Sequence, residues 1–196
     1  FLLFNVIRYS NILKIVLVTL IFLCVPRMVS AQRASVSTNT LTWVNLGTIN
    51  AEGSLSVSKH MTVFAGAKYN PWNIRTKSKQ AFYNQQTAGY AGVKYWPWHV
   101  YSGWWFGAKA QYQDFEEDGI FSEGLIRGNA LGAGISMVYS MMITPKFNID
   151  FGIGGWGGRL LDYTRYEDFF GFELLESGPR NFVFLDNLIL SVSYIF

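Results

Sequence analysis

The sequence predicts an all-β fold: an eight-stranded antiparallel transmembrane β-barrel after a cleaved signal peptide, with the peptide over residues 1–31 and the barrel over 32–196. Three observations predict it. The composition combines 17% aromatic residues with 19 glycines, a pairing unusual in helical globular proteins. Segment after segment alternates apolar side chains with small or polar ones at a period of two, which places them on opposite faces of strands. The connections between those segments alternate in length, as in barrels with tight turns at one end and loops at the other.

The first 31 residues differ in kind from the rest, carrying Arg8, Lys14 and Arg27 but no acid. The apolar run over residues 15–25 is too short to span a bilayer as a helix, and Val29, Ser30 and Ala31 offer a small-residue cleavage site before Gln32. This reads as a secretory signal peptide; Pro26 and Arg27 argue against an uncleaved anchor. Its removal changes the charge. The whole chain has 16 basic and 13 acidic residues, and losing three basic residues leaves 13 − 13 = 0. The basic balance belongs to the leader, so nothing in it argues for nucleic acid. Cys24, the single cysteine, lies in the same segment, which leaves no disulfide and no thiolate ligand beyond it.

The strands follow in order. Residues 50–58 set Ala51, Gly53, Leu55 and Val57 against Glu52 and three serines; residues 104–113 set Trp104, Phe106, Ala108, Ala110 and Tyr112 against Trp105, Gly107, Lys109, Gln111 and Gln113. Leu131, Ile135, Met137, Tyr139 and Met141 alternate with small or polar partners, and Phe147, Ile149, Phe151 and Ile153 alternate with Asn148, Asp150, Gly152 and Gly154. Weaker stretches over 36–44, 61–70 and 87–96, with a terminal strand over 182–196, complete eight. Lys59-His60, the PWHVYS stretch and Thr144-Pro145-Lys146 are short turns; long loops begin near Pro71, Asp114 and Arg159. A soluble barrel of the lipocalin kind would share the alternation but carry denser Lys and Glu on its polar face than the Gly, Ser and Gln found here. Trp96, Trp98, Tyr101 and Trp104 around one turn, with Tyr69, Trp72, Phe82 and Tyr83 around one loop, are expected to form aromatic girdles.

The last strand places Leu188, Leu190, Val192, Tyr194 and Phe196 on one face, with Ser191 and Ser193 on the other. This ending, with Tyr194 and the terminal Phe196, resembles the C-terminal sorting signal of bacterial outer-membrane proteins, which implies the barrel assembly machinery as a partner. A family likeness appears at Tyr69-Asn70-Pro71-Trp72, at Tyr95-Trp96, and at Leu161, Asp162, Tyr163, Tyr166 and Glu167. These stretches resemble an uncharacterised small outer-membrane β-barrel family of Gram-negative anaerobes, a domain of unknown function; the first strand departs from its pattern. The resemblance implies a fold and an outer-membrane location but no reaction or ligand.

An outer-membrane lipid-modifying enzyme would need a His with a Ser and an acid near the membrane surface. The two histidines, His60 and His99, both fall in short turns. No metal-ligand spacing is present, the acids Asp114, Glu116, Glu117, Asp118 and Glu123 lack a calcium-loop pattern, and GIGGWGG lies within a strand rather than before a helix. The expectation is no catalytic residue, no metal and no cofactor; a lipid-modifying enzyme is the alternative, and a channel is disfavoured because eight strands leave room only for side chains. Inward charges Glu52, Lys68, Lys94, Lys109 and Asp150 are expected to form an interior network, with Glu52 paired to Lys68. The first long loop is basic (Arg75, Lys77, Lys79) and the second acidic, so either the two attract each other across the barrel mouth or the basic one holds lipopolysaccharide phosphates. The loop over 159–180 carries Phe169, Phe170, Phe172, Leu174 and Leu175, apolar enough to act as a lid or to dock on another outer-membrane protein.

Overall fold

The computed structural model describes residues 34–44, 47–71, 73–74, 82–118, 126–166 and 174–196; the leader expected over residues 1–31 lies outside them. The elements run β1 (Ala34–Asn39), α1 (Thr40–Val44), β2 (Ile49–Ser56), β3 (Met61–Asn70), β4 (Asn73–Ile74), β5 (Phe82–Tyr95), β6 (Gly103–Asp118), β7 (Ile126–Thr144), β8 (Phe147–Tyr166), β9 (Leu174–Ser177) and β10 (Arg180–Ile195). Eight of the strands form the wall, each antiparallel to its neighbours, while β4 and β9 are short additions paired to β5 and β8. Closure comes from β10, which pairs with β8 on one edge and with β1 on the other, Ser35 opposite Ile195 through Asn39 opposite Ser191. The end of the chain is tied in: the Ile195 amide donates to the Lys146 carbonyl at 2.8 Å and the Phe196 amide to the Ala34 carbonyl at 2.9 Å. A closed sheet has no edge left to pair with other chains along its closed rows.

The period-two pattern sorts the side chains as expected. On β7, Leu131, Ile135, Met137 and Tyr139 are exposed, whereas Ala130, Val138 and Ser140 are buried. On β8, Phe147, Phe151 and Ile153 are exposed and Asn148, Asp150 and Trp156 are buried. The apolar face is thus the outer one and the polar face the inner one, the reverse of a water-soluble barrel.

The interior is filled in layers. At the short-turn end, Trp96, Val100, Tyr101, Trp105, Val138 and Ile195 form a buried floor. Tyr101 holds it together from a left-handed backbone conformation, φ 63°. Its ring meets Trp96 edge-on at 5.7 Å, its carbonyl accepts from Asn148 Nδ2 at 2.6 Å, and burial lifts its phenol above the ordinary value. At the loop end, Trp156 stacks edge-on against Phe182 at 4.6 Å in a second cluster with Ala130 and Leu160.

Four expectations need correction. The first strand, predicted over 36–44, stops at Asn39, and residues 40–44 turn into α1. Side chains take over the ladder there: Asn39 Oδ1 accepts from the Leu190 amide, Thr40 Oγ1 donates to the Leu190 carbonyl, and Asn50 Oδ1 accepts from the Asn39 amide at 2.7 Å. Strands β5 to β8 run 14 to 20 residues, well past the ten expected, because hairpin pairing continues through polar residues such as Asp114 and Glu116. The described residues of the segment 159–180 are mostly strand, since β8 extends to Tyr166 and β9 pairs back onto it. In the expected girdle, Trp98 (83% exposed) and Trp104 stand on the outside, but Trp96 and Tyr101 belong to the floor.

Candidate functional site

Several of the described ionisable side chains meet in the barrel interior. Glu52 on β2 faces Gly66 on β3, which faces Tyr90 on β5. Gly66 is required there: a Cβ would sit 2.6 Å from the Tyr90 hydroxyl. The gap lets Glu52 reach across to β5, where Lys94 Nζ lies 2.5 Å from its Oε1. Lys94 is also sandwiched over the rings of Phe64 (4.9 Å) and Trp105 (4.3 Å), so its charge is met by a carboxylate and two π faces. The close ion pair of Glu52 is therefore with Lys94, where the sequence suggested Lys68. The reason is register. Lys68 lies opposite Asn50, one diagonal step above Glu52, while the missing side chain at Gly66 opens the longer path.

The other expected members occupy two further levels. Asp150 sits near the floor and accepts from Ser193 Oγ at 2.7 Å. Lys109 lies above, 5.3 Å from the Tyr90 ring, and begins an amide ladder: its Nζ donates to Gln111 Oε1 at 2.6 Å, Gln111 Nε2 to Gln113 Oε1 at 3.1 Å, and Gln113 Nε2 to Gln86 Oε1 at 3.4 Å. A 70 Å³ cavity between Lys68, Lys109, Tyr90 and Asn50 is the size of one or two waters. Above it, at the loop end, a 270 Å³ recess is lined by Tyr69, Gln85, Gln86, Asp114 and Glu116. Tyr90, Trp105, Ser193 and the glutamines were not singled out from the sequence, although each occupies an inward position of a strand whose alternation was legible.

Neither histidine joins this network. His60 Nδ1 lies 3.0 Å from the Trp96 carbonyl and His99 Nδ1 lies 3.1 Å from the Val100 carbonyl, both in short turns. Among the described residues no group of three His, Cys, Asp or Glu could hold a metal ion. At the opposite end, Leu174 is exposed at the start of β9, and the backbone of Leu175 continues that strand; Phe169, Phe170 and Phe172 lie outside the described residues, as do Arg75, Lys77, Lys79 and Glu123.

A closed antiparallel barrel with a packed polar interior and an apolar exterior defines the class: a small eight-stranded antiparallel β-barrel, compatible with an outer-membrane protein. Within that class the chain belongs to the family described as Protein of unknown function (DUF3575), whose model matches residues 16–196. No curated protein and no solved structure matches the chain.

Proposed function

We propose that the chain is an integral protein of the bacterial outer membrane, exported by a signal peptide and inserted by the barrel assembly machinery. In this reading it serves as a membrane-embedded platform whose long-loop end meets lipopolysaccharide or another outer-membrane protein, with no catalytic step of its own. The observation that carries the reading is the outward apolar band. On β8 every outward position from Phe147 to Gly157 is uncharged, and Arg159 is the first charge on that face. Eleven residues at roughly 3.3 Å each, tilted about 40°, rise about 28 Å, close to the apolar height of transmembrane barrels. In water that face would leave Ile135 at 74% and Leu188 at 68% exposure among many other apolar groups. In a bilayer it is the solvated face, and the terminal strand cannot leave an open seam beside Phe196.

Cell fractionation with gel migration before and after boiling tests this. The expected result is a protein that partitions with the outer membrane, needs detergent for extraction and shows a heat-dependent shift. A periplasmic protein without such a shift would refute it.

A further inference from the structure

The outer face carries a trough that the loop-end reading does not use. It has a volume of about 900 Å³ and lies across β6, β7 and β8 beside β10. Its bottom is made by Ala133, Gly155 and Gly157, and its sides include Met137, Ile153 and Val183. Ala133 stands opposite Gly157, and Gly157 opposite Val183. A Cβ on Gly157 would come within 2.9 Å of the Phe182 carbonyl and 3.1 Å of Val183 Cγ2, so the backbone itself forms the bottom. The trough is lined almost wholly by carbon.

A cation stands beyond its loop-side end. Arg159 follows Gly157 by two residues on the same outward face, about 7 Å further along β8. It is exposed, its cross-strand neighbours Leu131 and Asn181 carry no charge, and among the described residues it makes no ion pair. An apolar channel with, just beyond its end at the border of the apolar band, a guanidinium that has no ion partner among the described residues matches the shape of an acyl chain under an anionic phosphate. We infer that the trough holds an acyl chain of a membrane lipid whose phosphate headgroup is net anionic, in the loop-side leaflet, with that headgroup on Arg159. A second copy of the barrel fits less well, because a two-fold contact through the same face would set Arg159 against its own counterpart. The inference rests on the membrane-embedded reading.

The energetics define the test. An acyl chain leaving hydrocarbon for an apolar trough gains no hydrophobic driving force, so selectivity must come from the headgroup charge. One Arg at an anionic surface is worth about fivefold in affinity. The full chain should be refolded in phosphatidylcholine bilayers, checked for its heat shift, and probed with spin-labelled phosphatidylglycerol and phosphatidylcholine of identical chains. The expected result is about a fivefold preference for phosphatidylglycerol at one site per barrel, reduced toward one by Arg159→Gln. Filling the trough with Ala133→Leu, or with Ala108→Leu should the first not fold, should also abolish the preference while leaving the charge in place. Equal association of the two lipids, an unaltered preference in Arg159→Gln, or a wild-type dimer dissociated by Ala133→Leu would each overturn the site. A wild-type chain that never inserts or shifts defeats the membrane reading itself, whereas insertion without lipid preference defeats only this inference.

Discussion

Among individual residues, the strongest dependence falls on Glu52 and Lys94. Both are drawn from water into a packed interior, with side chains 17% and 8% exposed, and each is the other's close ion partner at 2.5 Å. Removing one leaves a charge that the interior cannot solvate, which costs about 3–5 kcal/mol, whereas removing both restores neutrality. Glu52→Gln or Lys94→Met alone should therefore destabilise more than the double variant, measured by urea unfolding of the refolded barrel in lipid vesicles. Additive losses would show that the pair does not couple. On the outer face the prediction has the opposite sense. Ile135 lies in the middle of the apolar band, so Ile135→Lys should cost about 2–4 kcal/mol, while Met141→Lys, near the short turns, should cost about 0–1. Equal costs at the two depths would mean that this face does not meet hydrocarbon.

At the scale of elements, the last strand separates stability from assembly. Phe196 is 65% exposed and its ring meets only Tyr194 among the described aromatic pairs, at 4.9 Å, while its amide is held by the Ala34 carbonyl whatever the side chain. Phe196→Ala should lower stability of the refolded barrel by less than about 1.5 kcal/mol, yet sharply reduce the folded protein recovered from cells if the aromatic terminus is an assembly signal. Loss in both assays alike would make it a packing residue. The same strand shows why much of the fold was legible: alternation from Leu188 to Phe196 fixes which face is apolar, because a slip by one residue would invert every side chain. The first strand was not legible beyond Asn39, because its continuation is replaced by side-chain hydrogen bonds from Asn39, Thr40 and Asn50, and such bonds leave no periodic trace. Local polarity failed for the upper parts of β6 and β7 for a related reason. Asp114 and Glu116 look like loop residues singly, but their backbones are held by pairing with Asn129 and Arg127 across the hairpin. The close Glu52–Lys94 pair was not legible because the decisive residue, Gly66, acts through the side chain it lacks.

For the whole molecule, the wall is markedly uneven. Strands β1, β2 and β3 have 6, 8 and 10 residues, whereas β7 and β8 have 19 and 20. The tall side projects the hairpins that carry the loop-end surface, while closure is achieved lower down, where β10 runs against β8 from Tyr194 opposite Phe147 to Arg180 opposite Leu160. The short strand β9 contributes only three paired positions, Thr164, Arg165 and Tyr166 of β8, all beyond that zone. Of the apolar segment over residues 168–175, the described part is the start of β9, which pairs beyond the closed rows. Deleting residues 168–175 removes that segment, the start of β9 included, but leaves every row of the closed wall intact, and loop shortening of this size has a small entropic effect. The deletion variant should retain its heat-dependent gel shift and its insertion into bilayers, with unfolding midpoint little changed, while losing any outer-membrane protein that copurifies with the full chain in detergent. A variant that fails to form the barrel would show that this segment supports the tall side of the wall, and the docking role assigned to it would have to be abandoned.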